Sequence, residues 1–179
     1  MFEFFTQKRE RKRKAVALYN AARVQSRQPV FYEEYAVPDT VDGRFEMLAL
    51  HCYILMRRLN VAGDKKQAQA LFDVFFKNID KNLREMGIGD LGVPKHMKRM
   101  MQGFNGRATE YEKAITGNDD DSLKQAVIRN IYGTLDNPDP EVVALMALYI
   151  QENVVIDSLG AVFASPLAGP KQAEGRKYG

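Results

Sequence analysis

Apolar side chains recur about every 3.6 residues along most of this chain, and polar and apolar residues alternate over no more than a few positions. This spacing places apolar residues on one side of a helix, whereas a half-buried strand needs strict alternation. Three long apolar stripes are clearest, at Phe45–Leu59, Ala68–Met86 and Met97–Ile115. The pattern therefore predicts an all-α fold.

Residues that begin and end helices divide the chain at matching positions. Asp39, Thr40 or Asp42 can cap the first long helix, and Gly63 separates it from the second. Pro94 suits the first turn of the third. The predicted helices cover about 6–26, 42–60, 64–87, 94–115, 119–132 and 139–159. We expect a single-domain bundle of about six or seven helices.

The helix over 42–60 is predicted to be central because it is apolar around almost its whole circumference. Such a helix needs neighbours on several sides, so Met47, Leu50 and Ile54 should be buried. The 179 residues are enough for one core. Around it we predict a basic N-terminal arm over 1–28, a helical domain over 29–164 and a disordered tail over 165–179.

Composition excludes several classes of protein. The single cysteine, Cys52, cannot form an intramolecular disulfide or complete a zinc or iron–sulfur site. The longest apolar run, Val142–Ile150, is nine residues, under half of what spans a bilayer. The N-terminus lacks the long apolar segment of a signal peptide. We expect a cytoplasmic protein, with a place at the inner face of the cytoplasmic membrane left open, and no cofactor.

Residues 1–28 carry eight basic side chains and two acidic ones, a net charge of +6 that leaves −3 for the rest, and six of the basic residues form a cluster here called the basic run. Such a run attracts an anionic membrane surface or ribosomal RNA, although a solvated helix end is the simpler interpretation. It has no interleaved aromatic residues, so sequence-specific nucleic-acid binding is not expected. The basic run consists of Lys8, Arg9, Arg11, Lys12, Arg13 and Lys14.

The segment Gly87–Gly92 has the spacing G-x-G-x-x-G, which in dinucleotide-binding proteins follows a strand. Here it follows a predicted helix, so it is interpreted as a helix end and a tight connection. We call Gly87–Lys95 the connector. It presents Asp90 and leads to Lys95, Lys98 and Arg99 on the next helix, an arrangement that suits recognition of a partner.

Three further features each have a structural interpretation beside a functional one. His51, alone among apolar residues, is expected to be a buried histidine with one hydrogen bond. Met97, Met100 and Met101 form a stripe that is either core or a surface for varied apolar partners. Asp119–Asp121 is explained by capping of a helix, with no metal required.

Three stretches resemble the ubiquinol-cytochrome c chaperone family, and the resemblance covers about residues 30–133. They are Val37–Met47, Leu83–Lys95 and Arg129–Gly133. The resemblance implies an all-helical, non-enzymatic assembly factor of the cytochrome bc1 complex. In mitochondrial relatives this factor works with a small partner protein near the ribosomal exit and holds newly made cytochrome b.

The resemblance supplies no catalytic residues, so the matched positions are candidates for binding cytochrome b, another membrane respiratory subunit or a small partner protein. With the methionine stripe, the candidates are Asp39, Asp42, Arg44, Arg84, Glu85, Asp90, Lys95, Lys98, Arg99, Met97, Met100 and Met101.

Two alternatives to the assembly factor stay open. One is a small helical enzyme that uses a cluster of Asp39, Asp42, Arg44, His51 and Asp90. The other is a helical module that binds ribosomes or nucleic acid through the basic run alone. A cleft with converging side chains and perturbed pKa values would favour the enzyme.

Overall fold

A computed structural model describes residues 2–155 and 162–167 of the chain. Within these ranges the regular structure is entirely helical, which confirms the predicted all-α fold. The described helices are α1 (Phe2–Gln25), α2 (Pro29–Glu33), α3 (Val41–Val61), α4 (Lys65–Glu85), α5 (Val93–Thr116), α6 (Asp120–Asn130) and α7 (Pro140–Val154).

Helix α3 lies at the centre and packs against α1, α4 and α7. Met47 and Ile54 are completely buried, and Leu50 is nearly so. Each such side chain stabilises the fold by about 1.5–3 kcal/mol relative to leaving it exposed. The prediction of a central α3 is confirmed.

The start of α3 depends on one glycine and one cap. The Thr40 hydroxyl accepts a hydrogen bond from the Gly43 N–H at 3.1 Å, so Thr40 is the cap among the three candidates. A Cβ atom at Gly43 would lie 2.0 Å from the Pro38 carbonyl oxygen. A glycine at position 43 therefore allows the backbone at Pro38 to lie directly against the first turn of α3, and any larger residue would push it away.

Helices α3 and α4 are joined by a short turn in which Gly63 has a φ of +84°. The Asp64 side chain then caps α4 by accepting a hydrogen bond from the Gln67 N–H at 3.0 Å. A turn of this length makes the two helices antiparallel neighbours. The end of α3 therefore lies beside the start of α4.

Helix α1 packs along α4, and the two run in the same direction. The Gln67 side chain donates to the Arg11 carbonyl oxygen at 3.1 Å, and the Tyr19 and Phe75 ring centroids are 6.4 Å apart. Both contacts pair a residue of α1 with the residue 56 positions later. Ala15 and Tyr19 are buried, so the second half of α1 belongs to the packed body.

The chain differs from the sequence-based expectations at one short helix, and part of the predicted C-terminal structure lies outside the described residues. Helix α2 was not predicted, and its Phe31 is completely buried. Helix α7 is described to Val154, and its predicted extension into 156–159 lies outside the described residues. Of the predicted tail, 165–167 are described, with the Tyr35 hydroxyl donating to the Leu167 carbonyl at 3.2 Å, and 168–179 lie outside.

A bilayer-spanning helix needs about 20 mostly apolar residues. Across 2–155 and 162–167, no helix has the length and apolar content to cross a membrane.

Candidate functional site

A cleft of about 520 Å³ opens between the first turns of α3, the stretch of α5 from Arg99 to Arg107, and the end of α6 with the turn that follows it. Its walls come from three parts of the chain that are distant in sequence. The lining residues are Asp42, Gly43, Phe45, Glu46, Arg99, Met100, Arg107, Arg129, Asn130, Ile131, Gly133 and Thr134.

The turn after α6 is held in place by a buried hydrogen bond and a glycine. The Tyr132 hydroxyl donates to the Tyr35 carbonyl oxygen at 2.7 Å, and both side chains are completely buried. At Gly133 a Cβ atom would lie 2.4 Å from the Arg129 carbonyl oxygen, so the turn can close back on α6 only with glycine there. This wall of the cleft is therefore fixed relative to the segment before α3.

A salt bridge between α5 and α3 forms the floor of the cleft. Arg107 binds both carboxylate oxygens of Glu46, with Nε donating at 2.7 Å to one and Nη2 donating to the other. The Glu46 side chain is 12% exposed. Burial raises the pKa of Glu46 above its ordinary value, and the Arg107 guanidinium opposes that rise. A bidentate pair of this kind fixes the side-chain geometry of the floor.

The rim of the cleft carries charges available to a partner. Arg99 and Asp42 are exposed, and no ion-pair partner for Arg99 is found among the described residues. Arg129 lies 3.4 Å from Glu110, and its side chain is 54% exposed. Arg99 therefore adds positive charge to the cleft, whereas the charge of Arg129 is partly offset by Glu110.

The connector is a fixed turn, as the structural interpretation of the G-x-G-x-x-G spacing predicted. Gly87 has a φ of +84° and ends α4. The Ile88 N–H donates to the Leu83 carbonyl oxygen at 3.1 Å and the Gly92 N–H to the Gly89 carbonyl oxygen at 2.8 Å, so backbone hydrogen bonds define the turn. Arg84 on the last turn of α4 adds exposed contacts, donating to Asp80 at 2.9 Å and to Asp90 at 2.5 Å. Leu91 at the tip is 99% exposed.

The connector leads directly to the cleft. Lys95, Lys98 and Arg99 are exposed on the first two turns of α5, and residues three and four apart share a helix face. Because Arg99 also lines the cleft, this basic face continues from the connector to the cleft rim.

The methionine stripe is divided between the core and the cleft. Met97, Met100 and Met101 are half-buried and pack against the core. Of the three, Met100 lines the cleft. The stripe is therefore neither wholly buried nor a continuous exposed surface.

The remaining predicted binding residues lie outside the cleft. Asp39 and Arg44 form an exposed ion pair at 2.6 Å beside the start of α3. The Arg44 guanidinium holds the pKa of Asp39 below its ordinary value. Glu85 lies 3.7 Å from Lys81 on the exposed side of α4. These pairs are solvated, and exposed pairs contribute little to stability.

His51 is completely buried, as predicted, but both of its ring nitrogens have hydrogen-bond partners instead of the one expected. Its Nδ1 lies 2.7 Å from the Met47 carbonyl oxygen, and its Nε2 lies 2.9 Å from the Tyr149 hydroxyl. The Phe31 and Phe163 rings pack edge-on against it. Within the described ranges, the four charged residues predicted to act with His51 are absent from its hydrogen bonds and ring contacts.

Burial lowers the pKa of His51 from 6.5 to about 4. The unfolded chain therefore binds a proton more readily, and folding stability falls as the pH drops from 6.5 to 4. A shift of this size corresponds to about 3 kcal/mol of unfolding free energy. We expect urea unfolding of the wild type to show this loss and His51→Gln to show a shallower pH dependence. Equal pH dependence in the two proteins would contradict the prediction.

The acidic residues before α6 act as a cap, as predicted. The Asp119 carboxylate accepts hydrogen bonds from the Ser122 N–H at 2.9 Å and from its hydroxyl at 2.7 Å. In the part of the chain described by the structure, no three His, Cys, Asp or Glu side chains are grouped to hold a metal ion.

Sequence reasoning did not select several residues that shape the cleft, namely Glu46, Arg107, Arg129, Gly133 and Thr134. A signal existed for some of them, because Glu46 lies in the first stretch of resemblance and Arg129–Gly133 forms the third. Arg107 carries no local signal, since its partner is 61 residues away.

Comparisons with known proteins agree with one another. A family model described as Ubiquinol-cytochrome C chaperone matches residues 33–158. A solved structure described as the Cbp3 homolog from Brucella abortus is 36% identical and superposes with a TM-score of 0.72, covering 84% of each chain. Ubiquinol-cytochrome-c reductase complex assembly factor 1 of Xenopus laevis is 24% identical over 126 residues. That match spans 69% of this chain and 62% of the Xenopus protein, less than two thirds of its length.

Proposed function

Because the chain belongs to the ubiquinol-cytochrome C chaperone family, we propose that it is a non-enzymatic assembly factor of the cytochrome bc1 complex that binds newly made cytochrome b. The observation that carries this proposal is the family match over residues 33–158, which includes the whole cleft and the connector. The similarity to the Xenopus laevis protein, which is named as an assembly factor of the ubiquinol-cytochrome-c reductase complex, supports it.

The chemistry of the cleft supports a role in holding a protein segment. Phe45 and Met100 are half-buried side chains that offer apolar contact, and Arg99 and Arg129 place positive charge on the rim. Protein interfaces commonly combine an apolar centre with a polar rim in this way. A helix end or a loop of a membrane subunit would meet apolar side chains in the cleft and positive charge at its rim.

The connector supplies a second contact beside the cleft. Asp90 and Leu91 are exposed on a turn next to the cleft, so they can contact the same partner as the cleft does. We propose that cytochrome b binds across the cleft and the basic face of α5. A different respiratory subunit or a small partner protein would be distinguished by the experiment below.

A tagged full-length chain is expected to capture cytochrome b from detergent-solubilised membranes of the source cell. Mass spectrometry of the captured proteins identifies the client without assuming its identity. The binding should be greatest when bc1 assembly is blocked at a later step, because cytochrome b then stays in its unassembled form. Capture of a different respiratory subunit, with no cytochrome b, would contradict the proposed client.

A further inference from the structure

The end of the molecule where α1 lies beside the start of α4 carries more positive charge than the basic run alone. Because α1 and α4 run in the same direction with an offset of 56 positions, residues 8–14 lie level with 64–70. Lys65 and Lys66 on the first turn of α4 are exposed there. The cations at this end, here called the basic end face, surround α1 and continue onto the first turn of α4; they are Lys8, Arg9, Arg11, Lys12, Arg13, Lys14, Lys65 and Lys66.

Few acidic groups offset these cations. The eight cations face two carboxylates in the same segments, Glu10 and Asp64, which leaves a net charge of +6. Glu10 pairs with Arg13 at 2.9 Å, and the Asp64 side chain is used as the cap of α4. Apart from Arg11, which is half-buried, all the cations are exposed.

Two exposed apolar side chains accompany the cations. Phe5 on α1 is 64% exposed, and Val61 at the end of α3 is 72% exposed beside the start of α4. Cationic surfaces that bind membranes combine charge with apolar side chains that enter the headgroup region. A single-stranded nucleic acid is bound instead in a groove with several stacking aromatic residues. These observations favour a lipid surface.

We propose that the basic end face docks the protein on a bilayer that contains anionic phospholipids. The cleft then lies away from the bilayer, because Phe45 at the cleft and Val61 at the basic end face are 16 residues apart on α3, about 24 Å. This surface stands independently of the proposed client, since it shares no residue with the cleft.

The test uses the full-length chain and co-sedimentation with vesicles of phosphatidylcholine and phosphatidylserine in a two-to-one ratio. Each cation near such a surface raises the affinity about fivefold, so Lys65→Gln with Lys66→Gln should weaken binding about 25-fold. The matched control is Lys95→Gln with Lys98→Gln, two exposed lysines near the cleft, which should bind as the wild type does. Added salt should release the wild type.

Circular dichroism and thermal melting establish that both double variants are folded. Vesicles of phosphatidylcholine alone should sediment little protein. Equal binding by the two double variants would overturn the proposal. So would an affinity for a single-stranded RNA homopolymer that exceeds the affinity for the vesicles at the same salt concentration, because the face would then be a nucleic-acid site.

Discussion

A chain in which Lys95, Lys98 and Arg99 are all changed to glutamate is expected to fold normally and to lose most of its ability to support assembly of the bc1 complex. The three side chains are exposed, and exposed substitutions usually change the unfolding free energy by less than about 0.5 kcal/mol each. Charge reversal at an interface costs several kcal/mol, so affinity for the client should fall at least about tenfold.

The measurement compares strains that lack the wild-type gene and express either the triple variant or a control. Lys77→Glu with Lys113→Glu is a suitable control, because these lysines are exposed on α4 and α5 outside the cleft. Assembled complex is quantified on native gels, and protein abundance by immunoblot. Full restoration by a folded triple variant would exclude the basic face of α5 from the binding site while leaving the family assignment intact.

Local sequence signals were sufficient for the positions of the long helices. Asp64, Asp119 and Asp139 each accept a hydrogen bond from the N–H of a residue in the first turn of the following helix. Capping depends on residues close in sequence, so such signals are readable without the fold. The same holds for α3, whose nearly complete apolar circumference predicted its central position.

Helix α2 is an element that such local signals do not predict. It spans five residues, fewer than two turns, so no apolar period can be recognised in it. Its Phe31 is nevertheless completely buried, with its ring centroid 5.1 Å from that of Tyr149 in α7. That position depends on a contact between distant parts of the chain.

Only part of the candidate site could be predicted, because its geometry also depends on contacts between distant parts of the chain. Asp42, Arg99 and Met100 were selected from sequence and do line the cleft. The cleft itself exists because α3, α5 and the turn after α6 meet, and no local pattern encodes that meeting. The Glu46–Arg107 pair illustrates this, since either residue alone would pass for an ordinary charge on a solvated helix face.

Only part of the basic end face could likewise be predicted from the sequence. The basic run was evident from composition, whereas the contribution of Lys65 and Lys66 follows from the parallel packing of α1 and α4. In the structure the basic end face lies at one end of α3 and the cleft at the other, a separation that no local sequence pattern indicates.

Deletion of the gene for this chain tests the central claim, a role in bc1 assembly, most directly. An unassembled membrane subunit exposes apolar surface and is removed by proteases or aggregates, so we expect assembled bc1 complex to fall several-fold. The transcript for cytochrome b should be unchanged, and re-expression of the wild-type chain should restore the complex. Native gels and reduced-minus-oxidised haem spectra of the membranes give the measurement. Loss of the complex with an unchanged transcript is the predicted result, and a normal amount of assembled complex in the deletion strain would contradict the account.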